Sequence, residues 1–455
     1  MVCLLPIISH QAVAQAVGAA TWPTGDTSPD DQPLAGQQLG TNLTLNQGIN
    51  TINAENESFN RFGLGLSASG GAETNFFGSE TDKVTVGYGQ FAGEAGVLLH
   101  TDRTQFFALY RPQYNLYPQF PQVNNYAQSL YIGLDHAITE HTGIAWNTTA
   151  ARYLSLDQFL PQTLGIGGIG VVAPTLGALL QQDSFEITNA ATNLQFRYLI
   201  STRMTFTGTL TAGYFLLVPA HVAASFSGFT ERFISTGADL RLTYLWTPRD
   251  TVGAEVTPIY IYGLHPSGQI AVETVQGTYQ RQLTSTLSAR VGAGPLFIQS
   301  SSTTYNGKTY PSAQNVNYAV SASLSRQIRQ SQFTAGYSRA ILVNLFEPGL
   351  VANLYSFSAY LPFERRWIFT SGASYIEEGL GGAFGSIKVF GASGQMSYQI
   401  ASKVQLFALY SRLSEDFGNG LAQQPYRFTR NQFGAGIRFN LGNPIASPIT
   451  NGGTQ

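Results

Sequence analysis

The sequence predicts an all-β protein: a single transmembrane antiparallel up-and-down β-barrel of about eighteen strands, with sixteen as the alternative count. Three observations predict it. Only 11% of the 455 residues are charged, against roughly 25% in soluble domains, while aromatics make up 12% and glycines number 48. Apolar residues are dispersed singly with a period of two, not gathered into the runs of about 20 that a membrane helix needs. The connections between periodic segments alternate between short and long, as they do around a membrane barrel.

Composition excludes the other classes. A soluble domain this poor in charge would struggle for solubility, and a disordered chain would lack the aromatics. The longest apolar stretch, Leu164 to Leu180, is broken by Pro174 and five glycines. The net charge of −2 suggests no nucleic-acid partner. Cys3 is the only cysteine, which fits an exported chain without disulfides.

Residues 1–16 read as the tail of a secretory signal peptide. Val2 to Ile8 is mostly apolar, and Ala14-Gln15-Ala16 is an A-x-A cleavage site, with Ala12-Val13-Ala14 as the alternative. No Lys or Arg precedes the apolar run, so the expected start lies upstream. Cys3 has no lipobox before it. Residues 17–60, rich in Thr, Gly, Pro, Asp and Asn, form an expected flexible arm too short for a plug domain.

The first five strands are expected over 61–75, 83–99, 104–116, 126–138 and 142–155. The first is glycine-rich and the least regular. Polar turns at Thr101-Asp102-Arg103 and Thr139-Glu140-His141 are short, whereas 117–125 and 156–184 are long. The next three, over 185–199, 203–216 and 231–246, alternate most cleanly. Leu194, Phe196, Tyr198 and Ile200 oppose Asn193, Gln195 and Arg197. Met204, Phe206, Leu210, Tyr214 and Leu216 oppose a row of threonines. Leu240, Leu242, Tyr244 and Trp246 oppose Asp239, Arg241 and Thr243. Ser201-Thr202 and Pro248-Arg249 are the short turns here, and 217–230 is the long link.

Strands over 250–263, 268–282, 285–299, 315–328 and 331–344 follow, with short turns at Thr284-Ser285 and Arg329-Gln330 and a long link at 300–314. Alternation in 268–282 slips phase near Val275. The last five lie over 351–363, 366–378, 386–400, 403–415 and 428–441, with short turns at Glu364-Arg365 and Ala401-Ser402 and a long link at 416–427. A polar tail, 442–455, ends the chain. An even count puts both termini on the short-turn side. Aromatics mark both ends of the apolar face: Tyr198, Tyr244, Trp246, Phe333, Trp367, Tyr398 and Phe439 near the short turns, and Tyr114, Tyr214, Tyr260, Tyr262, Tyr355, Tyr375 and Tyr410 opposite. Amphipathic rings favour the two bilayer interfaces.

From Arg61 to Leu441 the chain resembles a Gram-negative outer-membrane porin-type barrel. The last strand, with Phe433, Ile437, Phe439 and Leu441 in register, resembles the terminal signal read by the barrel-assembly machinery; the chain departs by continuing past it. No single porin family is singled out. The resemblance implies an outer-membrane location with both termini periplasmic, contact with outer-membrane lipid, and passive diffusion of small solutes. It leaves a homo-oligomer open, since porins often trimerise and no patch here shows it.

A barrel of 16 to 18 strands leaves an aqueous channel. The expected lumen face is Thr, Ser, Gly, Asn and Gln with few charges. Folding the hairpin about Pro248 sets Arg241 opposite Glu255, with Asp239 one step along; folding about Asp102 sets Arg111 close to Glu94. Two readings stay open: a mixed-charge constriction, or wall-bracing pairs worth about 0.2–1 kcal/mol each. Arg197, Arg290 and Arg438 have no evident partner in their own hairpins, and their convergence would favour anions.

The link 156–184 sits where general porins place the loop that narrows the pore. It is apolar at Leu164, Ile166, Ile169, Val171, Val172, Leu176, Leu179 and Leu180, and such a segment should not lie bare in water. It is the expected constriction or gate: folded into the lumen, across the mouth, or against a neighbouring subunit. Its G-x-G-x-x-G stretch, Gly165 to Gly170, lacks the strand–helix context of a dinucleotide site. The histidines are scattered without metal-ligand spacing, no nucleophile–base motif stands out, and no enzyme or cofactor is expected. Tyr117, Pro118, Phe120 and Pro121 either stack sugar rings at an entrance or extend the girdle into a stiff loop. The competing class is a closed structural or assembly-associated barrel, linked for example to polysaccharide export or surface attachment.

Overall fold

The structure, a computed structural model, describes residues 61–76, 83–101, 103–154, 163–166, 169–172, 184–221, 231–265, 267–305, 308–328, 331–342, 350–363, 366–378, 387–401, 403–417 and 426–440. The expected signal peptide, arm and tail lie outside them. Eighteen strands pair antiparallel in chain order and close into one ring. The first nine are β1 (Arg61–Thr74), β2 (Val86–His100), β3 (Thr104–Leu116), β4 (Asn125–Ala137), β5 (Thr142–Leu154), β6 (Ser184–Ser201), β7 (Met204–His221), β8 (Glu231–Thr247) and β9 (Asp250–His265). The rest are β10 (Ser267–Thr284), β11 (Leu287–Ser300), β12 (Ala313–Ile328), β13 (Ser331–Leu342), β14 (Leu350–Phe363), β15 (Trp367–Glu378), β16 (Ile387–Ala401), β17 (Val404–Phe417) and β18 (Tyr426–Asn440). The higher of the two expected counts is the observed one.

Period-two alternation becomes two faces. Leu194, Phe196, Leu240, Leu242 and Trp246 are exposed on the outer face, while Asn193, Thr211, Asp239 and Thr243 between them are buried inward. Lipid removes the cost of exposing apolar side chains and imposes one on unpaired backbone, which the closed ring satisfies strand to strand. The two aromatic rows are also present. Trp367 packs on Tyr398 at 4.6 Å near the short turns, and Tyr410 on Phe433 at 4.8 Å toward the other end.

β1, the least regular strand by sequence, is fully formed because it pairs on both sides. Its ladder to β18 runs from Gly65↔Asn440 to Thr74↔Asn431. Its glycines serve that seam: a Cβ on Gly71 would stand 1.8 Å from the Phe433 carbonyl oxygen. Asn75 ends the strand with φ 54°, a left-handed conformation asparagine tolerates, and its amide donates to the Thr429 carbonyl at 3.1 Å.

Two expectations change. β7 runs on to His221, so the link expected at 217–230 is shorter. The phase slip in 268–282 is not a break in the strand, since β10 pairs with β9 without a register shift from Ser267 to Arg281. What changes at Val275 is which face carries the apolar residues. Val275 and Leu283 point outward and are exposed, whereas Ile270 and Val272 point inward and are buried.

Candidate functional site

The lumen is built from the inward rows. In its short-turn half, four charges gather on β8, β9 and β11. Arg241 faces Glu255 in register and reaches it at 3.2 Å, and also approaches Asp239 at 3.6 Å. Arg290 reaches the same Glu255 carboxylate at 3.5 Å from two strands away, past β10. The Thr257 hydroxyl donates to Asp239 at 3.4 Å. Two carboxylates and two guanidiniums thus neutralise one another, all buried or half-buried.

A second group lies on β18, β2 and β3. Arg111 donates to Glu94 at 3.3 Å, and Arg438 has both as charged neighbours. Arg111 also stands over the Tyr131 ring at 5.9 Å. Around the ring, β3 is five strands from β8 and β11 is seven from β18, so the two groups sit on roughly opposite arcs. Arg197, Arg290 and Arg438 lie on β6, β11 and β18, so they do not share one arc. Between the charges the lumen is lined with amide ladders. Asn193 donates to Asn147 at 2.7 Å, and Gln90 to Asn115 at 3.1 Å.

In the long-loop half, the inner face of β9 to β11 becomes largely apolar. Ile259 and Ile261 of β9, Ile270 and Val272 of β10, and Leu296 and Ile298 of β11 are all buried inward. Leu354, Ile376, Val389, Leu413 and Phe428 add inward apolar positions along β14 to β18, where Glu415 and Arg430 interrupt them. The lumen is therefore not polar throughout. The sequence carried the signal in two places: the phase slip at Val275, and Ile259-Tyr260-Ile261-Tyr262, where both faces are apolar.

The backbone of the expected gate reaches that half of the barrel. Thr163–Ile166 and Ile169–Val172 pair antiparallel, with Gly165 opposite Gly170, so the described glycines of the G-x-G-x-x-G stretch lie on paired strands. Val171 and Val172 then pair in parallel with Ile341 and Leu342 at the long-loop end of β13. β13 is seven strands beyond β6 in a ring of eighteen, so this backbone crosses from one side of the barrel to the other. The side chains of Leu164, Ile166, Ile169, Val171 and Val172, and Leu176, Leu179 and Leu180 altogether, lie outside the described residues.

A third charged group joins strands from the two ends of the chain. Arg430 of β18 is fully buried, and its Nε donates to Glu73 of β1 at 2.9 Å. Glu415 of β17 is buried beside it, and Tyr88 lies over the same seam. Arg430 and Glu73 stand 357 residues apart, and only ring closure brings them together. The adjoining link 117–124 packs on this seam: Tyr117 lies 4.8 Å from Phe76, Phe120 stacks on Phe76 at 6.3 Å, and Val86, Tyr88 and Val123 belong to the same cluster. Tyr117 is thereby spent inside the wall and offers no open stacking face.

Among the described residues no three His, Cys, Asp or Glu side chains stand close enough to hold a metal ion. No protein-family model matches the sequence, and no curated protein is detectably similar to it. Among solved structures, the chain is similar to the FrpB iron transporter from Neisseria meningitidis (F5-1 variant), with a TM-score of 0.45 and 9% identity over 87% of this chain and 83% of that one. It is also similar to the ferric-catecholate import receptor Fiu from E. coli K12, with a TM-score of 0.43 and 11% identity over 86% and 82%. OccK2 (OpdF) of Pseudomonas aeruginosa gives a TM-score of 0.41 and 12% identity over 84% and 98%.

Proposed function

We propose that this chain is a Gram-negative outer-membrane channel for passive diffusion of small solutes, with the link 156–184 as its constriction or gate. The short turns and both termini face the periplasm in this reading, and the outer face meets outer-membrane lipid. Folding and insertion would use the barrel-assembly machinery. No catalytic role is part of the proposal.

One observation carries it. The apolar link has its backbone partner on β13, across the ring from where it leaves the wall, beside an inward apolar collar. Apolar link and apolar collar each need cover from water, and together they supply it. Lumen residues on every arc, from Gln90 and Asn147 to Thr274, Thr334 and Gln432, are buried, which supports a narrow lumen.

Planar-bilayer conductance tests this. The full chain is expected to show rare or small steps, and a variant lacking 160–181 frequent and larger ones. Absence of steps in both would refute the channel reading. The burial of the lumen face also favours a second reading, a permanently closed structural or assembly-associated barrel. In that case the deletion variant alone would conduct, and the intact chain would stay silent under every voltage and solute gradient applied.

A further inference from the structure

The two ends of the barrel differ in their outward cations. At the long-loop end, three of them stand against carboxylates, while Arg232 lies over the Tyr214 ring at 5.7 Å and Arg412 is in register with Asn431. Arg152 meets Glu186 at 2.7 Å, Lys388 meets Glu377 at 3.3 Å, and Arg427 is in register with Asp416. At the short-turn end, Arg203, Arg249, Arg281, Arg326, Arg366 and Lys403 are all exposed. Arg103 continues the series on the β2–β3 turn. Among the described residues of that rim, Glu140 is the exposed acid, and it lies on the β4–β5 turn, outside this arc. Asp250 is largely covered, with Arg281 at 3.7 Å, and that guanidinium is still half exposed.

Placement matters as much as charge. Arg281 lies on the same outward row of β10 as Val275 and Leu283, and Arg326 lies between Leu324 and Ile328 on β12. Both are therefore cations on the lipid-facing surface. A long cation there lays its stem along apolar neighbours and lifts its head to the interface. Trp246 and Trp367, exposed beside Arg249 and Arg366, mark where that interface runs. The turns holding these cations are tied sideways. The carbonyls of Arg203, Arg249 and Arg366 accept the Leu245, Gln282 and Gln399 amides at 2.8 Å. Successive cations fall about two strands apart, roughly 10 Å for strands about 4.8 Å apart. That is near the width of one phospholipid headgroup.

We infer that the short-turn rim from β6 to β17 is a binding surface for the phosphate groups of anionic phospholipids in the facing leaflet. Guanidinium suits this ligand, because it donates two parallel hydrogen bonds to phosphate oxygens. Zwitterionic headgroups offer the same phosphate with a compensating ammonium, and would compete poorly. The inference rests on the membrane-barrel reading but not on the channel.

The test uses the full chain in nanodiscs of phosphatidylethanolamine with one part in five phosphatidylglycerol. Lipids retained after partial delipidation are counted by native mass spectrometry. Phosphatidylglycerol is expected to be enriched among them. A variant with Arg203, Arg249, Arg281 and Arg326 all changed to Gln should lose that enrichment, at about fivefold in binding per charge removed. The same four positions changed to Lys should keep most of it. Enrichment should also fall with salt, because rim charges are screened. Equal retention of both lipids, or enrichment that survives the Gln changes, would overturn the inference. So would full competition by soluble glycerophosphate, which would assign the rim to a free anion. If the Gln variant fails to fold, the salt series on the unchanged chain decides: enrichment that does not fall with salt overturns the inference. A chain that never enters nanodiscs would instead contradict the membrane reading itself.

Discussion

Glu255 is the hinge of the inner charge group, and replacing it makes a quantitative prediction. Its carboxylate is almost fully buried and is shared by Arg241 at 3.2 Å and Arg290 at 3.5 Å. Unit charges about 4 Å apart attract by about 4 kcal/mol at an effective dielectric of about 20. Desolvation offsets most of that in the intact pair, but removing one partner strands the other. Glu255→Gln leaves Arg241 with Asp239 at 3.6 Å and leaves Arg290 without this carboxylate. Breaking a buried pair costs about 3–5 kcal/mol, and the lumen-facing part of Arg241 lowers this toward about 3. That is roughly a 150-fold change in the folding equilibrium. Urea unfolding in lipid vesicles, followed by tryptophan fluorescence, measures it. Arg290→Gln added to Glu255→Gln should be less harmful than the sum of the two single changes by about 1–2 kcal/mol, because both single changes remove the same ion pair. A single change costing under about 0.5 kcal/mol, or strict additivity in the double, would refute the shared-carboxylate account.

Other expectations follow from the two faces and the seam. Val275→Arg, outward at the middle of β10, should destabilise the barrel by about 2–4 kcal/mol, whereas Gln276→Arg, inward, should cost far less; equal costs would contradict the register. Gly71→Val should block closure, because its Cβ would meet the Phe433 carbonyl oxygen at 1.8 Å; normal heat-modifiable mobility on gels would argue against a tight seam. Arg152→Ala should change stability by under about 1 kcal/mol, since its pair with Glu186 is exposed; a larger loss in the same urea assay would mean that the pair is more than a surface contact. Ile261→Asn should lower the voltage or denaturant needed to open the lumen in single-channel recordings, because it places a polar group in the collar; unchanged gating would separate the collar from the gate.

Much of the wall was legible because strand register is local. A short turn such as Pro248-Arg249 fixes which residues face each other, so Arg241 opposite Glu255 follows from counting outward from the turn. Arg290 could not be placed that way, because its carboxylate partner lies across an intervening strand. Nor could Arg430 and Glu73, whose strands meet only when the ends of the ring join. The collar was half visible. The phase slip at Val275 stands in the sequence, but periodicity reports that two faces differ and not which one looks inward when both carry apolar residues.

The sequence by itself determined the class of fold, the alternation of faces, the short and long connections and the aromatic rows. These are properties of neighbouring residues, and the demand that lipid-facing surface be apolar writes them into every strand. The tertiary structure decided the closure at β1 and β18, the sharing of Glu255, the apolar inner collar and the backbone partner of the link 156–184 on β13. Each of these depends on where distant strands stand around a ring of eighteen. A period of two carries no information about that, because it repeats identically in every strand.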